Sequence, residues 1–318
     1  MRVESCREFV RHLKEYKEFC IVYHENPDGD CIGSAYGLAL ALRLAGCRCA
    51  VVGQHKVTEA FCGTVGAWTQ DTLSDPVYLA VDCADRARTG PDHRAHPYRF
   101  WIDHHGAPDE QAEFELTDPH RSACSELILE VIEEYGIPVT PHIADLLYTA
   151  IITDTNCFRS PCIDSRTFAT AARLADYGAS VSTIGRQQRF LRPEKRMRIE
   201  QAMLDRTHFL HDSRLITVTV LREDLDRIGI PSQLDPVMEG INDYPEQFPE
   251  MEIGITLREY PEGVTRVSVK TAAGTFSAKE IAQAYGGGGH TNAGGFMYHG
   301  DAETLRGDME AFCERYFS

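Results

Sequence analysis

The chain has 318 residues, 43% of them hydrophobic, and a formal net charge of −16 at pH 7. That length and hydrophobic share fit a globular protein of two domains with proper cores, while the acidic balance argues against long nucleic acid as a partner, because tracking a polyanion draws on Lys and Arg. No run of ~18 apolar residues offers a membrane span.

Residues 1–20 are dense in Arg, Lys and Glu rather than carrying the apolar core of a signal peptide. Eleven cysteines without a CxxC pair predict reduced thiols and a cytoplasmic setting. From there, short apolar runs alternate with helix-patterned stretches. Phe19-Cys20-Ile21-Val22-Tyr23, Ala50-Val51-Val52, Val77-Tyr78-Leu79-Ala80-Val81 and Arg99-Phe100-Trp101-Ile102 predict buried strands. Ile32–Leu44, Ser125–Glu134 and Ala144–Ile152 predict helices. This alternation is the signature of an α/β domain with a mostly parallel, helix-covered sheet, expected over residues 1–185. Ligands of such sheets bind beyond the carboxyl ends of the strands.

Ser182 to Leu210 is strongly charged and reads as helical, so residues 186–210 are expected to form a helical linker. Beyond it, Leu215–Val220, Met251–Leu257 and Val264–Val269 predict strands. A helix from Ser277 to Tyr285, a glycine run and a helix from Ala302 to Phe317 complete a smaller α+β domain over residues 211–318.

Four acidic or histidine clusters stand out in the first domain. His24-Glu25-Asn26-Pro27-Asp28-Gly29-Asp30 follows the first strand, with Pro27 and Gly29 favouring a tight turn. Asp82 ends the third strand, Asp103-His104-His105 ends the fourth, and Asp154 ends an apolar helix. Taken singly, such residues are ordinary caps, turn formers or surface polar groups. Together they crowd carboxylates into one crevice, where repulsion is severe unless cations compensate it. Carboxylate and imidazole suit borderline divalent ions, and two such ions ~3.5–4 Å apart would serve phosphoester or phosphoanhydride hydrolysis.

Gly286-Gly287-Gly288-Gly289-His290 allows close backbone approach to a phosphate or carboxylate, although four glycines also make a plain turn. Arg266, Ser268, Lys270 and Thr271 on the preceding strand could add anion contacts, against the alternative of a solvated edge strand. Cys31, Cys83 and Cys157 lie near the acidic clusters and read as small apolar packing, with a redox-sensitive metal site as the minority reading. Arg159 suits either a phosphate or an ion pair.

These clusters, in this order and spacing, resemble the four motifs of the DHH phosphoesterases. The glycine run, continuing to Ala293-Gly294-Gly295, is similar to the GGGGH motif of the associated DHHA1 C-terminal domain. The resemblance spans Phe19 to about Tyr298 and is nearest to stand-alone nano-RNases that also dephosphorylate 3′-phosphoadenosine 5′-phosphate. It implies two manganese ions. One would be held by His24, Asp28 and Asp82, the other by Asp30, Asp82, His104 and Asp154, with Asp82 bridging. Asp103 would orient an imidazole and His105 would approach the scissile phosphate or its leaving oxygen. Arg266, Ser268, Lys270, Gly287, Gly288, Gly289 and His290 would bind substrate: a short oligonucleotide, dinucleotide or nucleotide. A homodimer is left open.

The resemblance has two departures. Asn156 stands where the family commonly has glycine, and Lys270-Thr271 where an Arg-Ser pair is common. Lysine is a point charge and not a bidentate fork. The rival readings are an inorganic pyrophosphatase and a non-catalytic nucleotide sensor. Gly286–His290 counts against the first, since that branch carries a different C-terminal domain. A sensor would have lost a ligand, and none is missing. A dinucleotide-dependent oxidoreductase is weaker, because the first strand leads into Pro-Asp-Gly-Asp and not a glycine-rich phosphate loop.

Overall fold

The four apolar runs of the first half become strands β1 (Glu18–Tyr23), β2 (Arg48–Val52), β3 (Val77–Val81) and β4 (Tyr98–Asp103), and a fifth, β5 (Phe114–Thr117), joins them. The computed structural model describes residues 5–57, 59–106, 109–189, 193–232, 236–238 and 240–317. It divides into two compact units, residues 1–191 and 192–318. In the first unit all five strands pair in parallel, in the order β2-β1-β3-β4-β5. The order reverses between β1 and β3, which opens a crevice at their carboxyl ends. His24 follows one of these strands and Asp82 the other.

The helices of this unit are α1 (Cys6–Leu13), α2 (Gly29–Leu44), α3 (Glu59–Val65), α4 (Cys124–Tyr135), α5 (Pro141–Asp154), α6 (Ser165–Asp176) and α7 (Val181–Arg189). Most of α2 is buried on every side, as its lack of a polar stripe requires. It lies very close to α5: a Cβ on Gly33 would sit 2.3 Å from the carbonyl oxygen of Leu146, and one on Gly29 would strike the Thr153 side chain. Only glycine permits that approach. The two helices therefore meet with Asp154, at the end of α5, beside Asp28 and Asp30, at the start of α2. Phe19, Ile21, Leu79 and Trp101 are fully buried beneath, each stabilising the fold by about 1.5–3 kcal/mol.

The second unit contains α8 (Glu194–Asp205), β6 (Thr207–Leu210), β7 (Leu215–Val220), α9 (Arg222–Ile228), β8 (Ile253–Tyr260), β9 (Val264–Thr271), α10 (Ala278–Ala284), β10 (Gly288–His290), β11 (Ala293–His299) and α11 (Ala302–Cys313). Its mixed sheet runs β10-β11-β9-β8-β7-β6, with only β7 and β8 parallel. Ile253, Ile255, Leu257, Val267 and Val269 pack one face against Ile281, Leu305 and Met309. Ile216, Val218 and Val220 pack the other against Ile199, Ala202 and Met203 of α8.

Thr207–Leu210 corrects the helical reading of Ser182–Leu210. This stretch is an edge strand, antiparallel to Leu215–Val220, and only four residues long. Cross-strand pairing, invisible in a local window, overrides the charged helical pattern before it. No helix among the described residues is long and apolar enough to cross a membrane.

Candidate metal centre

The turn after β1 ends at Asp28, which caps α2: its Oδ1 accepts the Cys31 amide at 3.0 Å. Its other oxygen, Oδ2, lies 3.3 Å from His24 Nε2, which is in turn 3.7 Å from Asp82 Oδ2. Asp82 leaves β3 with φ of 55°, a left-handed backbone that Asp tolerates better than most residues. Its amide donates to the Ile102 carbonyl at 2.9 Å, and the Trp101 indole donates to the Cys83 carbonyl at 2.9 Å. These bonds hold the turn so that the carboxylate points inward, 2% exposed. Its Oδ1 is buried and, among the described residues, has no hydrogen-bond partner.

Asp30 is held from a different helix. Residue Ala123 precedes α4 and has no side chain with which to cap it. The first amides of α4 donate instead to Asp30, Cys124 N to Oδ2 at 2.6 Å and Ser125 N to Oδ1 at 3.2 Å, while Ser34 Oγ donates to Oδ1 at 2.9 Å. His104 completes this side. Its Nδ1 lies 3.2 Å from the Arg121 carbonyl, which can only accept, so the proton sits on Nδ1 and Nε2 turns a lone pair inward. Around Nε2 stand Asp82 Oδ1 at 3.5 Å, Asp154 Oδ2 at 3.6 Å and Asp30 Oδ2 at 3.8 Å. His105 Nδ1 donates to the fully buried Asp103 at 2.8 Å and stands 3.8 Å from Asp82.

Electrostatics make this arrangement costly for protein groups alone. Burial and the neighbouring Asp30, Asp28, Asp103 and Asp154 push Asp82 well above the usual carboxylate range. Burial and Asp30 push Asp154 up to about 7. Burial raises Asp30 as well, against the pull of His104. Asp28 is also opposed by burial, but the hydrogen bond and charge of His24 hold it below its ordinary value. His105 is raised by its hydrogen bond to Asp103. Divalent cations would reverse this repulsion. The donor atoms of His24, Asp28, Cys31 and Asp82 lie within 4.8 Å of one another, as do those of Asp30, His104 and Asp154, and those of Asp82, His104 and His105. Oxygen and imidazole donors of this kind, with an orphaned carboxylate oxygen among them, fit borderline divalent ions.

All eight expected residues of the first unit converge at this point. The supports that orient them, Ser34, the α4 amides and the Arg121 carbonyl, were not legible beforehand. Asn156 has φ of 47°, a left-handed backbone that Asn tolerates. Asn156 also anchors Arg159 through its Oδ1, at 2.8 Å from the guanidinium.

In the second unit, Arg266, Ser268 and Lys270 alternate along β9 and share a face. Cross-strand register puts His290, Ala293 and Lys270 in one row of that face, and Gly288, Gly295 and Ser268 in the next. Two expectations are corrected. Strand β9 is interior, between β11 and β8, and Thr271 is buried on the opposite face. Lys270 is already paired, 2.8 Å from Asp243 and 3.7 Å from Glu246.

Gly288 and Gly289 belong to strand β10, whereas Gly286 and Gly287 precede it. Close approach to β11 demands two members of the run, since a Cβ on Gly287 would lie 2.3 Å from the Gly295 carbonyl oxygen and one on Gly289 the same distance from that of Ala293. Gly288 faces open space.

Residues 18–151 match the model of the DHH family, N-terminal domain. The chain is 30% identical over 304 residues to the bifunctional oligoribonuclease and PAP phosphatase NrnA of Thermus thermophilus, covering 93% of this chain and 86% of that protein. It is 27% identical over 167 residues to a probable manganese-dependent inorganic pyrophosphatase of Bacillus cereus, covering 48% of this chain and 53% of that one. The fold is similar to the crystal structure of an exopolyphosphatase-related protein from Bacteroides fragilis, with a TM-score of 0.82 at 22% identity over 98% of this chain and 96% of that chain.

Proposed function

This chain belongs to the DHH family of phosphoesterases, and on that premise we propose that it hydrolyses short oligonucleotides and dinucleotides, and removes the 3′-phosphate of 3′-phosphoadenosine 5′-phosphate. The observation that carries the reading is Asp82, a buried carboxylate with an orphaned oxygen, shared by the His24–Asp28 group and the His104 group. The likeness in sequence to a relative named for both activities extends over nearly the whole chain, which favours it over a pyrophosphatase, whose likeness covers 48%.

Two divalent cations are proposed, Mn2+ being favoured by the mixed Asp and His donors. His24, Asp28 and Asp82 would hold one, and Asp30, Asp82, His104 and Asp154 the other. When bound, such ions polarise the phosphoryl group and make water nucleophilic at neutral pH. The chain's own groups do the rest. Arg121 and Asp30 fix the orientation of His104 and of the α4 terminus. Asp103 keeps a proton on His105 Nδ1, leaving Nε2 to meet the leaving oxygen or the scissile phosphate. In the second unit, Arg266, Ser268, Lys270 and His290 would contact the nucleotide, with Gly287, Gly288 and Gly289 letting it approach the backbone. Lys270 would then exchange or share its pairing with Asp243.

The test is a substrate panel with Mn2+ present: a dinucleotide, 5-mer and 50-mer RNA, 3′-phosphoadenosine 5′-phosphate and pyrophosphate. The net charge of −16 provides no long basic track, so the 5-mer should be hydrolysed at least ~10-fold faster than the 50-mer, and pyrophosphate scarcely at all. Comparable rates on the two RNA lengths, or pyrophosphate as the best substrate, would overturn the assignment.

A further inference from the structure

We propose that Cys31 supplies a thiolate to the cation held by His24, Asp28 and Asp82, which raises the affinity of this half of the centre for thiophilic divalent ions such as Zn2+, Co2+ or Cd2+ beyond what its oxygen and imidazole donors give, with little change for Mn2+. The proposal rests on the metal-dependent reading above and adds a donor to it. Cys31 is the third residue of α2, counted from its Asp28 cap. A side chain at that position folds back over the cap. Here it does so, with Sγ 3.5 Å from the Asp28 carbonyl oxygen. This brings the sulfur within 4.8 Å of donor atoms of His24, Asp28 and Asp82.

The sulfur is fully buried, and the same group contains the buried Asp82, whose Oδ2 faces His24 at 3.7 Å. Of the buried thiols close by, Cys83 and Cys124 enter none of the donor groups among the described residues; their Sγ atoms donate to the Val81 and Ile102 carbonyls, each at 3.4 Å. In the binding step the Cys31 S–H bond breaks, its proton leaves to solvent and the sulfur electron pair forms the bond to the cation. Without a cation, burial and the Asp28 and Asp82 carboxylates hold the thiol well above its usual range, so the thiolate forms only as the ion binds. Sulfur prefers Zn2+, Co2+ and Cd2+ to Mn2+, whereas the oxygen and imidazole donors of Asp30, His104 and Asp154 keep the other half of the centre harder.

The test is titration of the metal-stripped, full-length protein with Co2+. Visible d–d absorption reports that the ion is bound, and an intense near-ultraviolet charge-transfer band reports a sulfur ligand. The band should be present in the wild type, absent in Cys31→Ser and Cys31→Ala, and retained in Cys83→Ser. In Cys31→Ala, Cd2+ affinity should fall by at least ~10-fold while Mn2+ affinity changes by less than ~3-fold. Wild-type protein that binds Co2+ without the ultraviolet band, or a band that survives Cys31→Ser, overturns the thiolate and leaves the metal-dependent reading standing. Absence of any Co2+ binding overturns both. The wild-type spectrum alone tests for the sulfur ligand even where a substituted chain fails to fold.

Discussion

Asp82 ends a parallel strand, has a left-handed backbone and is pressed by four other carboxylates. If Asp82 serves both cations, as proposed, Asp82→Ala should release both, whereas His24→Ala should release one. Elemental analysis of folded Asp82→Ala protein retaining two ions per chain would refute the sharing. The same crowding has a pH signature. Asp154 titrates near 7 in the fold against 3.8 ordinarily, and Asp82 is raised too, so between about pH 4 and 7 the folded chain binds more protons than the unfolded one. Stability of the metal-free protein therefore falls as pH rises through that window. Its Tm in chelator should be lower at pH 7.5 than at pH 5, and Mn2+ should restore it. A metal-free Tm that rises across this interval contradicts the account of the centre. The acids and histidines were legible because they sit at strand and helix ends in a spacing that singles them out. Their supports were not, since Ala123 gives no hint that Asp30, 93 positions earlier, substitutes for a cap.

The α2 and α5 pair converts two helix ends into one crevice, and its closeness depends on Gly33. A methyl group there meets the backbone oxygen of Leu146, which cannot rotate away, so the helices must separate. Gly33→Ala should cost about 1–3 kcal/mol, and by moving Asp154 from Asp30 it should weaken the second cation more than the first. Thermal denaturation together with Mn2+ titration checks both. Unchanged Tm and two unchanged affinities would show that the contact does not position the site. Long elements such as α2 and α5 could be read from their apolar content. The short strands β5 and β6 could not, being four residues each and defined by partners distant in sequence. The glycine run was half legible: its flexibility suggested ligand approach, while the close approach of β11 also requires glycine at 287 and 289.

For the whole chain, an α/β unit and a second mixed-sheet unit follow from alternating apolar runs, and the two units are residues 1–191 and 192–318. The acidic balance is partly the centre itself, a charge density that divalent cations would neutralise and that long polyanions would avoid. Turnover should therefore depend on metal. Hydrolysis of a 5-mer RNA by protein stripped of metal, assayed first in excess chelator and then after addition of Mn2+, measures this. Turnover should be at least ~10³-fold lower in chelator and recovered with Mn2+, in keeping with the several kcal/mol that such ions contribute to transition-state stabilisation. Full turnover in chelator by metal-stripped protein would contradict it.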